Sequence, residues 1–178
     1  MNTSRLGLAL MHLLAKLPLP VLRGIGWGVG RLLFILAAPR RKIALRNLEL
    51  CFPEVPAAQR RAWAKETFVV FCQTFIDRSW LWFGSEALVR SRVQLTGALH
   101  ELEGDTATIV FAPHFYSMDA GGLALPLNTP REFTSIFATN PDPVLDAWFM
   151  AGRQRFGKVR MLNRADGVKP IIQCLRKG

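Results

Sequence analysis

Acidic residues are scarce in this sequence. Its 178 residues include 13 Asp and Glu against 23 Lys and Arg, which gives a formal net charge of +10. Such an excess favours nucleic acids, anionic lipid headgroups or acidic proteins as partners. No Lys/Arg run extends beyond Arg40–Lys42, and half of the residues are hydrophobic. Because aromatic and basic residues are not interleaved and no nucleic-acid-binding motif is present, the composition favours lipid.

Cysteine is also scarce, and its pattern gives no sign of a disulfide framework or a metal site. Cys51, Cys72 and Cys174 are odd in number, with no C-x-x-C pair and no metal-ligand spacing. This predicts buried or free thiols in a reducing compartment. The sequence also lacks the G-x-S-x-G elbow of serine hydrolases, so nothing indicates a covalent acyl-enzyme. We expect neither a metal nor a cofactor.

The N-terminal part lacks an uninterrupted apolar run long enough to cross a bilayer, which takes about 20 mostly apolar residues. Leu6–Ala15 is short, and Val21–Ala38 contains Arg23 and Arg31. No small-residue cleavage site of a secretory signal follows the first run. We therefore predict an interfacial or re-entrant helical pair over residues 1–39, with its arginines reaching the headgroups. Buried helices of a soluble domain are the alternative.

A basic cluster follows this apolar segment directly. It comprises Arg40, Arg41, Lys42 and Arg46. A cluster beside an apolar segment is typical of a cytoplasmic contact with an anionic membrane surface. A solvated helix face explains this segment equally well.

From residue 40 onwards, alternating helices and strands predict one α/β domain with parallel strands. A long helix is expected over Ala57–Phe83, with an aromatic stripe more typical of a core than of an acyl-chain groove. Asp77 and Arg78 in this helix are expected to be solvated or paired at a rim. The stripe is Phe68, Phe71 and Phe75. The further predicted strands are Val93–Leu95, Ala107–Ala112, Phe133–Ala138 and Lys158–Asn163. The further predicted helices are Ala98–Glu103, Ser117 to Pro126, Asp142 (as N-cap) to Arg155, and Gly167–Lys177.

A histidine stands where the second of these strands ends. Ala107–Ala112 is too short for a helix and rich in Ile, Val and Phe, which predicts a fully buried strand. Pro113 ends it, because proline has no N–H for a sheet ladder. His114 follows at the exit, and ligands of α/β sheets bind beyond the carboxyl ends of the strands. His114 is therefore a candidate catalytic residue.

Asp119 is the candidate partner of His114. Residues five apart in a regular helix lie about 140° apart around its axis, so their side chains diverge. The two meet only if His114 lies in a loop and the helix begins between them, near Ser117. Asp119 would then accept one imidazole N–H and leave the other nitrogen free as a general base. The alternative is two polar residues around a turn, since a lone His near an Asp is common.

Four other polar residues are candidates for substrate binding. Asn140 opens a loop at the exit of the next strand, so it could face the same crevice. Arg153 and Arg155 lie two apart on a helix, hence on different faces, and a guanidinium suits phosphate or carboxylate oxygens. Arg153 is the first choice, Arg155 the second and Arg164 a weaker one. The alternative is a solvated charge that stabilises a helix end.

Four blocks, in order, resemble one known family. A lone H-x4-D is shared with glycerolipid acyltransferases, whereas four ordered blocks are specific. They resemble the bacterial acyltransferases that add secondary acyl chains to lipid A precursors, and they lie within residues 40 to 178. The blocks are RNLELCFPE at Arg46–Glu54, HFYSMD at His114–Asp119, NPDPVLDAWFMAGRQRFG at Asn140–Gly157 and GVKPIIQCLRKG at Gly167–Gly178.

The resemblance implies a glycerolipid-acyltransferase-like domain over residues 40–178, a mixed or mostly parallel sheet flanked by helices. It implies a membrane anchor over residues 1–39, at the cytoplasmic face of a bacterial inner membrane. Family members are longer, so it also implies an N-terminal fragment.

The resemblance further implies acyl carrier protein as donor and a phosphorylated glucosamine disaccharide, usually bearing Kdo sugars, as acceptor. The block around Arg153 would lie near the acceptor's phosphates or the donor's phosphopantetheine arm. The alternatives are an acyltransferase for another acceptor, such as a lysophospholipid, and a non-catalytic truncated relative at the membrane surface.

Overall fold

A computed structural model describes residues 3–104 and 106–176, which form a helix-rich α/β structure. The described residues divide into two compact units: one is Lys16–Asp77, and the other combines residues 3–15 with residues 78–176. The predicted boundary between residues 39 and 40 stays a prediction. The helices are α1 (Thr3–Leu14), α2 (Leu19–Leu36), α3 (Ala38–Cys51), α4 (Ala57–Phe83), α5 (Glu86–Arg92), α6 (Met118–Asn128), α7 (Pro143–Arg153) and α8 (Lys169–Leu175). The strands are β1 (Glu132–Phe137) and β2 (Lys158–Asn163), and two 3-10 turns cover Leu99–Leu102 and Arg164–Asp166.

In the unit Lys16–Asp77, α2 packs closely on α4 through two glycines. A Cβ at Gly26 would lie 2.6 Å from Gln73 Cγ, and one at Gly30 would lie 2.5 Å from Val69 Cα. The absence of side chains at these positions is what lets the two backbones approach. Gly24 and Gly28, on the same helix, have open space around them. The glycine-rich pattern thus serves packing at two of its four positions.

The rest of α2 presents an apolar surface. By length and composition, the 18 residues of α2 are a candidate membrane span with a mean hydropathy of 1.4, and 22% of them are buried. Its exposed large side chains include Trp27, Leu32, Ile35 and Leu36. The predicted pair of N-terminal helices is confirmed as α1 and α2, and contact with a membrane stays a prediction.

The aromatic stripe predicted for the core of α4 is exposed in part. Phe71 and Phe75 are 54% and 43% exposed, whereas Val69 and Cys72 are buried. The expectation that the stripe belongs to the core is therefore wrong for Phe71 and Phe75, because packing against α2 at Val69 turns the other face of the helix outward. Burial also raises the pKa of the Cys72 thiol.

In the second unit, α7 begins as its sequence predicts. The Asp142 carboxylate accepts hydrogen bonds from the backbone N–H of Val144 and Leu145, and Pro143 occupies the first helical position. These contacts satisfy donors that have no partner within the helix. The Ser4 hydroxyl of α1 donates to the same carboxylate. A serine contact, together with the helix N–H groups, holds the pKa of Asp142 below its usual value.

The two strands form a parallel pair, as predicted. Glu132 lies opposite Lys158, and Phe137 lies opposite Asn163. Gly157 precedes β2 with φ +63°, a conformation that glycine adopts without strain. A Cβ there would lie 2.7 Å from Pro126 Cβ. The turn into β2 therefore requires glycine.

The predicted central strand is wrong. Residues 106–115 form no strand, and Ile109 and Phe111 are 79% and 89% exposed rather than buried. A strand exists only through the ladder to its partner, and an apolar run does not show whether a partner lies within reach. In the structure, Arg131 bonds to the Thr106 carbonyl and the Thr108 hydroxyl. Residues 107–110 and β1 both line an open groove of about 500 Å³.

Three smaller predictions also need correction. Val93–Leu95 is not a strand, because its residues pair with no strand in the described chain. Residues 99–102 form a 3-10 turn within the helix predicted for Ala98–Glu103. Pro126 does not end α6, which continues to Asn128. A proline near the last turn removes one hydrogen bond without breaking a helix that stops two residues later.

Candidate functional site

The loop that carries His114 enters α6 through a strained residue. Ser117 has φ +66° and ψ +24°, which is the left-handed conformation, and its carbonyl accepts the backbone N–H of Ala120. Left-handed conformations cost a non-glycine residue about 1–3 kcal/mol and cluster at functional sites. The helix starts at Met118, so the prediction that it begins between His114 and Asp119 is confirmed.

Asp119 lies in the first turn of α6 between two arginines. Its Oδ2 accepts a hydrogen bond of 2.8 Å from Arg78 Nε, and its Oδ1 lies 3.5 Å from Arg153 Nε. The side chains of Asp119 and Arg78 are 15% and 23% exposed, so water screens this ion pair only in part. Two guanidinium groups and one carboxylate leave an excess of one positive charge.

An aromatic cluster lies beneath these arginines. The Arg78 guanidinium lies 5.6 Å from the Trp82 ring centroid and 5.9 Å from that of Phe149, and Arg153 lies 5.4 Å from Phe149. Both cations therefore face the Phe149 ring, a favourable arrangement for guanidinium groups. The Trp82 ring also contacts Trp148, with 4.4 Å between centroids. Arg78 and Arg153 therefore pack against aromatic rings, and this packing restricts the positions that the two guanidinium groups can take.

Gly152 brings α7 against this aromatic base. A Cβ at Gly152 would lie 2.6 Å from Trp82 Cε2 and 2.7 Å from Trp82 Cγ. The indole thus occupies the space that a side chain would need. Because Arg153 is the next residue, this contact fixes the helix end from which Arg153 reaches Asp119.

The structure does not bring His114 and Asp119 together. His114 is exposed, and no hydrogen bond or ion pair between described residues includes it. Both Asp119 oxygens face arginines instead. The pairing of His114 with Asp119 therefore stays a prediction. The structure does bring together two other predicted site residues, Asp119 and Arg153.

Arg155, the second arginine of its block, contacts backbone rather than Asp119. Its Nη1 donates a 3.0 Å hydrogen bond to the Leu81 carbonyl, and its Nη2 donates to the Gly84 carbonyl. The Leu81 carbonyl lies in the last turn of α4, where it lacks a partner within the helix, and the Gly84 carbonyl directly follows the helix. Burial lowers the pKa of Arg155. In this structure Arg155 ties the end of α4 to the segment after α7.

Asn140 and Arg164 lie near the ends of the two strands. The Asn140 Oδ1 accepts the backbone N–H of Asp142, and its own N–H donates to Asp146 Oδ1. Arg164 begins a 3-10 turn and is exposed. Asn140 precedes α7 and Arg153 ends it, so about 15 Å of helix lies between their backbones. The structure brings neither Asn140 nor Arg164 to Asp119.

Sequence reasoning missed Arg78 as a site residue, because it expected only a charge that is solvated or paired at a rim. Arg78 is paired, and its 2.8 Å contact with Asp119 is shorter than the 3.5 Å contact of Arg153. Its neighbour Asp77 is also paired, with Arg23 at 2.9 Å. A signal was present, because two adjacent charges in the aromatic half of a long helix need partners. In the described residues, no group of three His, Cys, Asp or Glu side chains could hold a metal ion.

Comparison with known proteins identifies the family. The family model described as "Bacterial lipid A biosynthesis acyltransferase" matches residues 2–178. A lipid A biosynthesis acyltransferase of Haemophilus influenzae is 33% identical over 175 residues, which cover 96% of this chain and 55% of the relative. The lipid A biosynthesis lauroyltransferase of Escherichia coli K12 is 29% identical over 176 residues, 97% of this chain and 56% of the relative.

A third relative, the lipid A biosynthesis myristoyltransferase of Escherichia coli K12, is 31% identical over 162 residues. These cover 89% of this chain and 48% of the relative. No solved structure matches the chain. The chain thus spans about half the length of the curated relatives that it matches. By the family match and these relatives, it belongs to the bacterial lipid A biosynthesis acyltransferases.

Proposed function

We propose that this chain carries the catalytic part of an enzyme that transfers a fatty acyl group to a hydroxyl of a lipid A precursor. The observation that carries the proposal is the family match over residues 2–178, which includes His114 and Asp119. The names of the relatives describe acyl transfer in lipid A biosynthesis. The arrangement of Asp119 between two arginines supports a site for an anionic substrate.

The proposed chemistry uses His114 as the general base. One imidazole nitrogen takes the proton of the acceptor hydroxyl while that oxygen attacks the carbonyl carbon of an acyl thioester. The new ester bond forms as the carbon–sulfur bond breaks, and the departing thiolate takes the proton that His114 accepted, which restores the neutral imidazole. The solvent-accessible position of His114 in its loop is compatible with approach of an acceptor.

In this proposal Asp119 orients His114, and Arg78 positions Asp119. Arg78 Nε holds Asp119 Oδ2 at 2.8 Å, whereas among the described residues Oδ1 has the longer 3.5 Å contact with Arg153. Oδ1 is therefore the oxygen that would accept the imidazole N–H in the substrate complex. Catalytic hydrogen bonds are often long in ligand-free structures and shorten in the substrate complex.

Arg153 is the proposed contact for an anionic group of the substrate. Its side chain is 37% exposed, and its Nε approaches Asp119 without the short distance that Arg78 makes. Its Nη groups are suited to two phosphate oxygens at once. Asn140, Arg155 and Arg164 are secondary candidates, because backbone contacts or distance along α7 separate them from Asp119.

The proposed donor is acyl carrier protein, and the proposed acceptor is a phosphorylated glycolipid. An acidic carrier protein is attracted by a chain of net charge +10. The proposed location is the cytoplasmic face of a bacterial inner membrane. The apolar exposed face of α2 supports contact with lipid, and the basic residues that follow it support the cytoplasmic side.

The test measures transfer from acyl carrier protein, loaded with a labelled acyl group, to a Kdo-bearing lipid A precursor in membranes that contain the chain. We expect His114→Ala to abolish transfer and His100→Ala, which changes another exposed histidine, to leave it unchanged. Equal transfer by the unaltered chain and His114→Ala would refute His114 as the base. If a lysophospholipid is supplied as well, label that moves only to this lipid would show that the acceptor is a lysophospholipid and not the lipid A precursor.

A further inference from the structure

Three cations surround one buried aromatic ring at the end of α2. Phe34 is 3% exposed, and its ring centroid lies 5.6 Å from the Arg41 guanidinium, 5.4 Å from that of Arg61 and 6.0 Å from the Lys65 ammonium. All four residues belong to the unit Lys16–Asp77. The three cations come from α3 and α4, so the fold, rather than one charged stretch of sequence, assembles this cluster. We call it the Phe34 cluster.

Arg41 fixes the Phe34 cluster to the C-terminal end of α2. Its Nη1 donates hydrogen bonds of 2.5 and 2.7 Å to the carbonyls of Phe34 and Ile35. These carbonyls are in the last turn, where partners within the helix are missing and the helix dipole favours a cation. Arg61 and Lys65 are four apart on α4 and hence on the same face. Neither makes a hydrogen bond to the end of α2 among the described residues.

The cluster has an excess of positive charge. Within residues 3–104 and 106–176, no carboxylate forms an ion pair with Arg41, Arg61 or Lys65. Elsewhere in the same unit, arginines do have acidic partners, as in the pairs Arg23–Asp77 and Arg46–Glu49. Three cations that share one ring repel one another, and an anion bound among them would relieve this repulsion.

We propose that the Phe34 cluster binds the phosphate of an anionic membrane lipid. The last turns of α2 expose Leu32, Ile35 and Leu36 at 54%, 66% and 67%, so the helix end that carries the cluster also presents apolar surface. A lipid offers both an acyl chain for this surface and a phosphate for Arg61 and Lys65. The position suits the headgroup level, because the cluster marks the end of the candidate span Leu19–Leu36. The inference rests on the membrane contact of α2 within the proposed function.

The test uses the full chain purified in a neutral detergent and measures binding of a fluorescent phosphatidylglycerol. We expect one saturable site per chain. Arg61→Gln/Lys65→Gln should weaken binding by about 10–100-fold, because each cation beside an anionic lipid headgroup contributes about fivefold and the variant removes two. The matched control Arg40→Gln/Lys42→Gln removes the same charge from exposed positions and should change binding less than twofold. Arg61→Lys/Lys65→Arg, which retains the charges, should restore it.

Each contrary result has a distinct meaning. Equal weakening by the two double variants would overturn the site in favour of diffuse charge attraction. Equal affinity for phosphatidylcholine would show that the anionic charge is not recognised, and competition by inorganic phosphate at comparable affinity would show a soluble ligand. Acyl transfer by the same preparations separates the two proposals, because lipid binding without transfer contradicts only the proposed function.

Discussion

Replacing Gly152 by alanine tests the packing that positions Arg153. The new methyl group would lie 2.6 Å from Trp82 Cε2, where carbon atoms in contact are normally 3.5–4.0 Å apart. Either α7 or the indole must therefore shift by about 1 Å. The indole has little freedom, because Trp148 and Phe149 pack against it at centroid distances of 4.4 and 5.5 Å. We expect α7 to move, and Arg153 with it.

The magnitude follows from two opposing effects. Overpacking a core typically costs about 1–3 kcal/mol. Alanine also favours a helix over glycine by about 1 kcal/mol, which offsets part of that loss. Gly122→Ala in α6 is the matched control, because nothing lies within 4 Å of its added Cβ. Both variants gain the same helix propensity, so the free energies of unfolding should differ by about 1–3 kcal/mol, Gly152→Ala being the less stable.

Thermal unfolding of both variants in the same detergent measures this difference. For a chain of this size, 1 kcal/mol corresponds to about 2–4 °C, so the midpoints should differ by roughly 2–12 °C. Transfer by Gly152→Ala should fall by about 10–100-fold, because a displacement of 1 Å in a site has such effects. Equal midpoints for the two variants would refute the close contact between Gly152 and Trp82.

Three further predictions concern charged residues. Arg155→Lys should lower the free energy of unfolding by about 1.5–3 kcal/mol, because it disrupts the hydrogen bonds to the Leu81 and Gly84 carbonyls. Denaturant unfolding measures this loss, and the control Arg164→Lys, at an exposed position, should change the free energy of unfolding by close to zero. The pKa of Asp142 is below its ordinary 3.8, so the stabilisation of the fold by the ionised carboxylate is present above pH 3.8 and is lost as pH falls through the folded-state pKa. Asp142→Asn should therefore make the free energy of unfolding depend less on pH in the acid range. An unchanged dependence on pH would contradict this prediction. Arg78→Gln should reduce acyl transfer at least tenfold, and Arg78→Lys should restore part of it because a cation beside Asp119 is retained. Equal transfer rates for both variants and the unaltered chain would exclude the role of Arg78 in positioning Asp119.

The elements with strong local signals could be predicted from the sequence. The bounds of α4 and β2 match the expected Ala57–Phe83 and Lys158–Asn163, and α7 begins at Pro143 after its predicted cap. An N-cap, a proline at the first turn and a clear break are all encoded within a few residues. The expected mixed α/β architecture with a parallel pair of strands follows from the order of these elements.

The features that depend on distant partners could not be predicted. The apolar run at residues 107–112 indicated burial, but a strand needs a neighbour's ladder, and the run pairs with no strand in the described chain. Arg78 is 41 residues from Asp119, so no spacing rule connects them. The spacing and the family resemblance of the HFYSMD block link His114 to Asp119, whereas in the structure Asp119 meets two arginines from other helices.

A double-mutant cycle on His114 and Asp119 tests the proposed catalytic pair most directly. Initial rates of acyl transfer to the lipid A precursor are measured for the unaltered chain, His114→Ala, Asp119→Asn and the double variant. Residues that act as one unit give losses that do not add. We predict a large loss for each single variant and no further loss in the double variant. Losses that multiply would contradict a His114–Asp119 pair and leave Asp119 as a partner of the arginines alone.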